Sequence, residues 1–112
     1  MKYALLIYDK PGAHEALGDE EREAVYGEYA ALSNDPRCAG GAQLQPVQTA
    51  TTVRVEDAKT LTTDGPFAET REQLGGYYLV EAKDLDAALG IAARIPGART
   101  GSIEVRPIWV YN

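Results

Sequence analysis

Thr63-Asp64-Gly65-Pro66-Phe67-Ala68-Glu69-Thr70-Arg71-Glu72-Gln73-Leu74-Gly75-Gly76-Tyr77-Tyr78 is the segment on which the fold turns. Asp64 to Phe67 is turn chemistry. A residue before proline is pushed toward extended backbone, Pro66 fixes its own φ and removes a donor, and an Asp at a turn accepts from amides just ahead of it. Glu69 to Gln73 reads as a charged rim, either loop or a single helical turn. Gly75-Gly76 then opens a run, Tyr77 to Ala82, that reads as a strand, and glycine at such a point signals a bulge or a close backbone approach. The segment therefore links two strands and presents one carboxylate, Asp64, from a rigid turn. Loops with their own composition often carry function, so the question is whether Asp64 caps its own backbone or faces a pocket.

Toward the N-terminus, Thr51-Thr52-Val53-Arg54-Val55 alternates as a strand does. Glu56 to Lys59 is a hairpin turn, and Thr60-Leu61-Thr62 is the short return to Asp64. Gln43 to Val47 reads as a weak strand after a loop at Pro36 to Gly41. Residues 2–8 form the first strand, with Tyr3, Leu5 and Ile7 on one face and Ala4, Leu6 and Tyr8 on the other. After a loop from Asp9 to Gly18, Asp19 is a plausible N-cap. Val25, Tyr29 and Leu32 mark the buried stripe of a helix that ends at Asn34-Asp35-Pro36. On the C-terminal side, Asp84 caps a second helix with a stripe of Leu85, Ala88, Leu89, Ala92 and Ile95. Gly90 in its middle costs about 1 kcal/mol against alanine, which implies packing that needs its small size. Pro96-Gly97 stops that helix. Ile103 to Val110 is the last strand, and Pro107 within it requires an edge or a bulge.

The order, strand, helix, three strands, strand, helix, strand, gives one α+β domain over residues 1–112. It is ferredoxin-like, an antiparallel sheet with two helices on one face. The first strand and Tyr77–Ala82 are apolar on both faces, yet two helices cover only one. A second copy of the sheet is the simplest cover, so a two-fold homodimer through the sheet face is expected, of the dimeric α/β-barrel type.

Composition narrows the function classes. The 112 residues carry 45% hydrophobic and 25% charged side chains, ordinary for one globular domain. A net charge of −6 argues against a nucleic-acid partner and against an anionic membrane surface. Eight acids and two bases lie between Asp9 and Asp35, so that stretch accounts for the whole net charge and reads as a solvated acidic helix face. One cysteine, Cys38, excludes an intrachain disulfide. The N-terminal run is too short and too soon charged for a signal peptide, and no apolar stretch reaches membrane-spanning length. A reducing cytoplasm is expected.

The segment from Thr63 to Tyr78 resembles the signature of the DGPF-domain proteins, a branch of the YCII-related family. The likeness extends to Met1-Lys2-Tyr3-Ala4-Leu5-Leu6-Ile7-Tyr8 and to Gly101-Ser102-Ile103-Glu104-Val105-Arg106-Pro107, and so covers most of the chain. It implies a ferredoxin-like fold that pairs as a dimer, and a His–Asp pair as the catalytic device of YCII-related proteins. Some relatives resemble partners of extracytoplasmic-function sigma factors, and a related branch contains a dehydrochlorinase acting on a chlorinated aromatic.

Candidate chemistry follows from few residues. One histidine, His14, and one cysteine give no ligand-spaced pattern, so no metal and no cofactor is expected. Cys38 sits beside Arg37, which could activate its thiol, but no spacing supplies it with a partner. Ser33 and Ser102 lack a nucleophile-elbow context. The best enzymatic reading is acid/base work by Asp64, with His14 as the one side chain that titrates naturally near neutrality. Its rival is ligand binding without catalysis. Tyr8, Phe67, Tyr77 and Tyr78 would line an aromatic pocket, with Arg54 or Arg106 as the positive group. The expected function is binding or lyase-like conversion of a small organic molecule at Asp64. The alternative is a non-catalytic regulatory or interaction protein. A pocket-facing Asp64 favours chemistry, an aromatic pocket without titratable groups favours binding, and a filled cleft favours interaction.

Overall fold

The computed structural model describes residues 1–13, 15–65 and 71–111. In chain order it contains β1 (Lys2–Asp9), α1 (Asp19–Ser33), β2 (Cys38–Gln43), a 3-10 turn (Val47–Thr49), β3 (Thr51–Glu56), β4 (Lys59–Asp64), β5 (Gln73–Glu81), α2 (Leu85–Ala93), the short α3 (Gly97–Thr100) and β6 (Ser102–Pro107). Four strands form one sheet in the order β2-β5-β1-β6, every neighbouring pair antiparallel. With β3 and β4 set aside, this is the ferredoxin-like arrangement, and the fold is α+β as expected. Among the described residues the other two strands pair only with each other and form a separate ribbon.

Alternation along β1 sets the core. Tyr3, Leu5 and Ile7 are buried and pack with Leu32 of α1, Val80 of β5, and Ala88, Ile91, Ala92 and Ile95 of the α2 region. The buried stripe of α2 is therefore Ala88, Ile91 and Ala92, continued past its end by Ile95. Leu85 and Leu89, expected inside, are 48% and 45% exposed. Gly90 also departs from expectation. It is exposed, and a Cβ there would meet nothing within 4 Å, so packing does not require it. The Asp84 cap is present, its side chain accepting from Ala87 N at 2.9 Å.

Gly18, not Asp19, is the N-cap of α1, and no side chain caps it. Asp19, Glu20 and Glu21 fill the first turn instead, where negative charge meets the positive end of the helix. The second strand runs over Cys38–Gln43, so it takes in Cys38 to Gly41, which the sequence reads as loop, and of the expected strand from Gln43 to Val47 it keeps only Gln43, while Val47 lies in the 3-10 turn. β6 stops at Pro107 and is an edge strand, the position that proline tolerates.

The acidic run is partly paired. Arg99 of α3 forks onto Glu28 of α1 with bonds of 2.9 and 2.8 Å. Arg37 and Arg94 both reach Asp35 Oδ2, at 2.9 and 3.2 Å, and tie the end of α1 to α2. The hydrogen bond from Arg99 holds the Glu28 carboxyl below its ordinary pKa, and the bonds from Arg37, followed by Arg94, hold Asp35 well below the carboxylate range.

The ribbon is built by its turn. Asp57 and Ala58 both have positive φ, 49° and 64°. This backbone matches the right-handed twist of the flanking strands in a two-residue hairpin. The root is fastened where Gly65 N–H donates to Ala50 O at 2.6 Å and Thr52 Oγ1 donates to Gly65 O at 2.8 Å.

Candidate functional site

A groove of about 850 Å³ lies between α1 and the β2–β5 side of the sheet. Tyr26, Tyr29 and Ser33 form one wall, at the spacing that places them along a single face of α1. Gly40 to Gln43 of β2 and Gln73 to Tyr78 of β5 form the floor. Residues 9–13 and Glu15, from the connection between β1 and α1, close one end, and Leu44 to Gln48 close another.

Glycine makes this floor. A Cβ on Gly41 would strike Tyr77 O, and one on Gly76 would lie 2.9 Å from Ala42 O. Neither strand could otherwise approach the other so closely. Gly75 is an extra residue in β5, since Ile7 pairs with Gly76 and Tyr8 with Leu74. The double glycine thus supplies both the bulge and the close approach its position suggests. With four glycines across β2 and β5, bare backbone stands beneath α1 and leaves space.

Around that space the chemistry is phenolic and amidic. The Tyr29 and Tyr78 rings stack with centroids 6.3 Å apart, and Tyr78 OH donates to Tyr29 O at 3.1 Å. Ser33 Oγ donates to the same carbonyl at 3.1 Å. Burial raises the Tyr29 phenol above its ordinary pKa, a hydrogen bond with the Gly97 backbone acts the other way, and the nearby Asp9 adds to the rise. Tyr29 is therefore a neutral phenol at physiological pH. Gln73 Oε1 is buried and has no hydrogen-bond partner among the described residues. An unsatisfied buried acceptor costs about 1–3 kcal/mol.

The sequence-derived candidates are dispersed by the fold. Tyr78 lines the groove. Tyr8 alternates to the opposite face of β1 with Ala4 and Leu6. Arg106 is exposed on β6, opposite Ala4, and Arg54 stands on the ribbon 3.9 Å from Glu56. Being exposed, Arg106 demands no anionic ligand. Asp64 is exposed at the end of β4, paired with Thr51 and outside the described groove lining. His14 and Phe67 lie outside the described residues, although Ala13 and Glu15, on either side of His14, line the groove. Arg37 gives its guanidinium to Asp35, while the free Cys38 thiol donates to Gly40 O at 3.5 Å. Glu72, read as part of a charged rim, accepts from Ser102 Oγ at 2.6 Å.

Tyr26, Ser33, Gln43 and Gln73 were not singled out by sequence as site residues. Their signal was present in part, because Tyr26 and Ser33 flank Tyr29 at helical spacing and Gln73 adjoins the double glycine. Among the described residues, no group of three or more His, Cys, Asp and Glu side chains is placed to hold a metal ion, and no helix is long and apolar enough to cross a membrane.

Comparison with known proteins gives two matches. The model of the YCII-related domain matches residues 1–112. An uncharacterized protein of Rhizobium meliloti (strain 1021) is 40% identical over 118 residues, covering 100% of this chain and 95% of the relative.

Proposed function

The chain belongs to the YCII-related family, and on that premise we propose that it binds a small, uncharged aromatic molecule bearing a hydrogen-bond donor, in the groove between α1 and the β2–β5 floor. The observation that carries this reading is Gln73 Oε1, buried and without a partner among the described residues, in the floor of a groove lined by tyrosines. A ligand O–H or N–H directed at that oxygen relieves its desolvation, and the Tyr26 and Tyr78 rings offer flat apolar contact. The charged lining residues described, Asp9, Lys10 and Glu15, sum to a negative charge, which disfavours an anion. The test is a screen of hydroxylated and amide-bearing aromatics by amide chemical shifts. Binders should move Gly40–Gln43 and Gln73–Tyr78, and Gln73→Met should weaken them about tenfold, the loss of one hydrogen bond near 1.4 kcal/mol. Shifts confined to other surfaces, or a Gln73→Met protein that binds equally well, sink the reading. A regulatory protein without a small ligand would show no binders at all.

Acid/base conversion of the bound molecule by Asp64 with His14 is a second reading. One arrangement favours it. The residues flanking His14 line the groove, and Asp64 precedes Gly65, which is tied to Ala50 two residues beyond the groove-lining Gln48. If turnover of a bound aromatic is detected, Asp64→Asn should abolish it, and unchanged turnover removes Asp64 from the chemistry.

We also propose a homodimer in a reducing cytoplasm, paired through the sheet face opposite the helices. Its support is a half-buried apolar surface on the two central strands, where Ala4 stands opposite Leu79 and Leu6 opposite Tyr77. Light scattering at micromolar concentration should give twice the 12.1 kDa chain mass, and Leu6→Glu should halve it.

A further inference from the structure

We infer that the β3–β4 ribbon is an exchange arm that lays its valine face on a second copy of the chain. The inference rests on the homodimer reading above and extends it beyond the sheet. Register pairs divide the ribbon into two unlike faces. One carries Thr51, Val53, Val55, Thr60 and Thr62, with Asp64 as its only charge. The other carries Arg54, Glu56 and Lys59 around Leu61. Such alternation is the pattern of a strand with one face in a core. Yet Val53 and Val55 are 59% and 67% exposed. A two-stranded hairpin with nothing packed on it is marginal in water, so the ribbon's own sequence calls for a cover that the described residues of its protomer do not supply.

Dimensions point to a second copy as that cover. The radius of gyration is 15.9 Å, against about 13 Å for a compact chain of this length. The accessible surface is 8068 Å², against about 6,000 Å² for a compact monomer of this mass. The excess, about 2,000 Å², falls in the range that each partner of an obligate homodimer buries. Charge selects the surface as well. Two copies each at −6 repel, and they meet most favourably through faces that leave out the acids of Asp9–Asp35. The valine face of the ribbon and the outer sheet face both do so. Strands of six residues give the arm a reach of about 20 Å.

Hydrogen–deuterium exchange of the full chain, with sedimentation of the same samples, tests the arm separately from the sheet. Amides of β3 and β4 should be protected in the dimer and lose at least tenfold of that protection in the Leu6→Glu monomer. Val53→Glu with Val55→Glu should weaken the dimer at least tenfold and unprotect the arm, with the protection of β1 and β5 unchanged. A dimer whose arm exchanges freely overturns the arm and leaves the sheet-face dimer standing. An arm protected equally in monomer and dimer folds onto its own protomer, which also overturns the inference. A wild-type chain that sediments as a monomer at every concentration overturns both. The comparison of the wild-type dimer with the Leu6→Glu monomer decides even if the double variant fails to fold.

Discussion

The four-stranded sheet and the β3–β4 ribbon are made from the same materials with different outcomes. Both alternate, both are rich in aliphatic and β-branched side chains, and both form regular antiparallel ladders. Leu5 in the sheet is 0% exposed, whereas Val55 in the ribbon is 67% exposed. The difference comes from what the chain places alongside. β1 lies between two strands and beneath residues of α1 and α2, while β3, among the described residues, pairs only with β4. Period-two alternation thus reports that a face needs covering, and it does not report which chain provides the cover.

The contrast can be broken most severely at its buried end. Leu5→Ala should cost about 2–5 kcal/mol in urea unfolding, from lost transfer energy and the cavity left behind. Val53→Ala, measured below the concentration at which copies associate, should cost less than about 0.5 kcal/mol. Loss of stability from Val53→Ala comparable to that of Leu5→Ala would place the ribbon in the protomer's own core.

Glycines sharpen the comparison next. Gly76→Ala drives a methyl toward Ala42 O in the sheet and should cost about 1–3 kcal/mol by strain. Gly90→Ala meets open space on α2 and should stabilise by about 0.5–1 kcal/mol, through helix propensity and a less flexible unfolded chain. Opposite signs in thermal unfolding are expected, and a destabilising Gly90→Ala would reveal a contact that the protomer does not contain.

The smallest effects lie at the surface. Glu28 and Asp35 have folded pKa values below their unfolded ones. Each therefore adds stability that is complete above its unfolded pKa and fades as pH falls through the folded value. Urea midpoints should decline on acidification below about pH 4.5. Asp35→Asn should make that decline shallower, and an unaltered slope would show that Arg37 and Arg94 do not hold the carboxylate in solution.

Much of this fold was legible because local chemistry and tertiary structure agree. The β1 alternation, the Asp84 cap, the edge placement of Pro107 and the hairpin at Asp57–Ala58 each follow from a few adjacent residues. Where sequence misled, tertiary packing had overridden a local rule. Cys38–Gln43 is a strand despite two glycines, because those glycines let β2 come against β5. The α2 stripe is turned so that Ile91 is inside and Leu89 outside, a rotation that propensity does not set. Within the segment from Thr63 to Tyr78 the emphasis shifts. Asp64 stands exposed at the root of the ribbon, while Gln73 to Tyr78 supplies the groove. Tyr26 and Ser33 could not be assigned to a site until the bare backbone opposite them was known.

The Asp57–Ala58 turn also orders events in time. Its ladder joins residues no more than thirteen positions apart, from Thr51 to Asp64. The central sheet must instead bring Lys2 to Glu81 and Tyr3 to Pro107. A hairpin closes in about 1–10 μs, and long-range pairings wait on costlier loop closure. On the nascent chain the ribbon thus starts to form before there is a sheet, although it stays marginal until it is covered. Until covered, it is a preformed β-edge, and Arg54, Glu56 and Lys59 place on it the charges that discourage edge-to-edge aggregation.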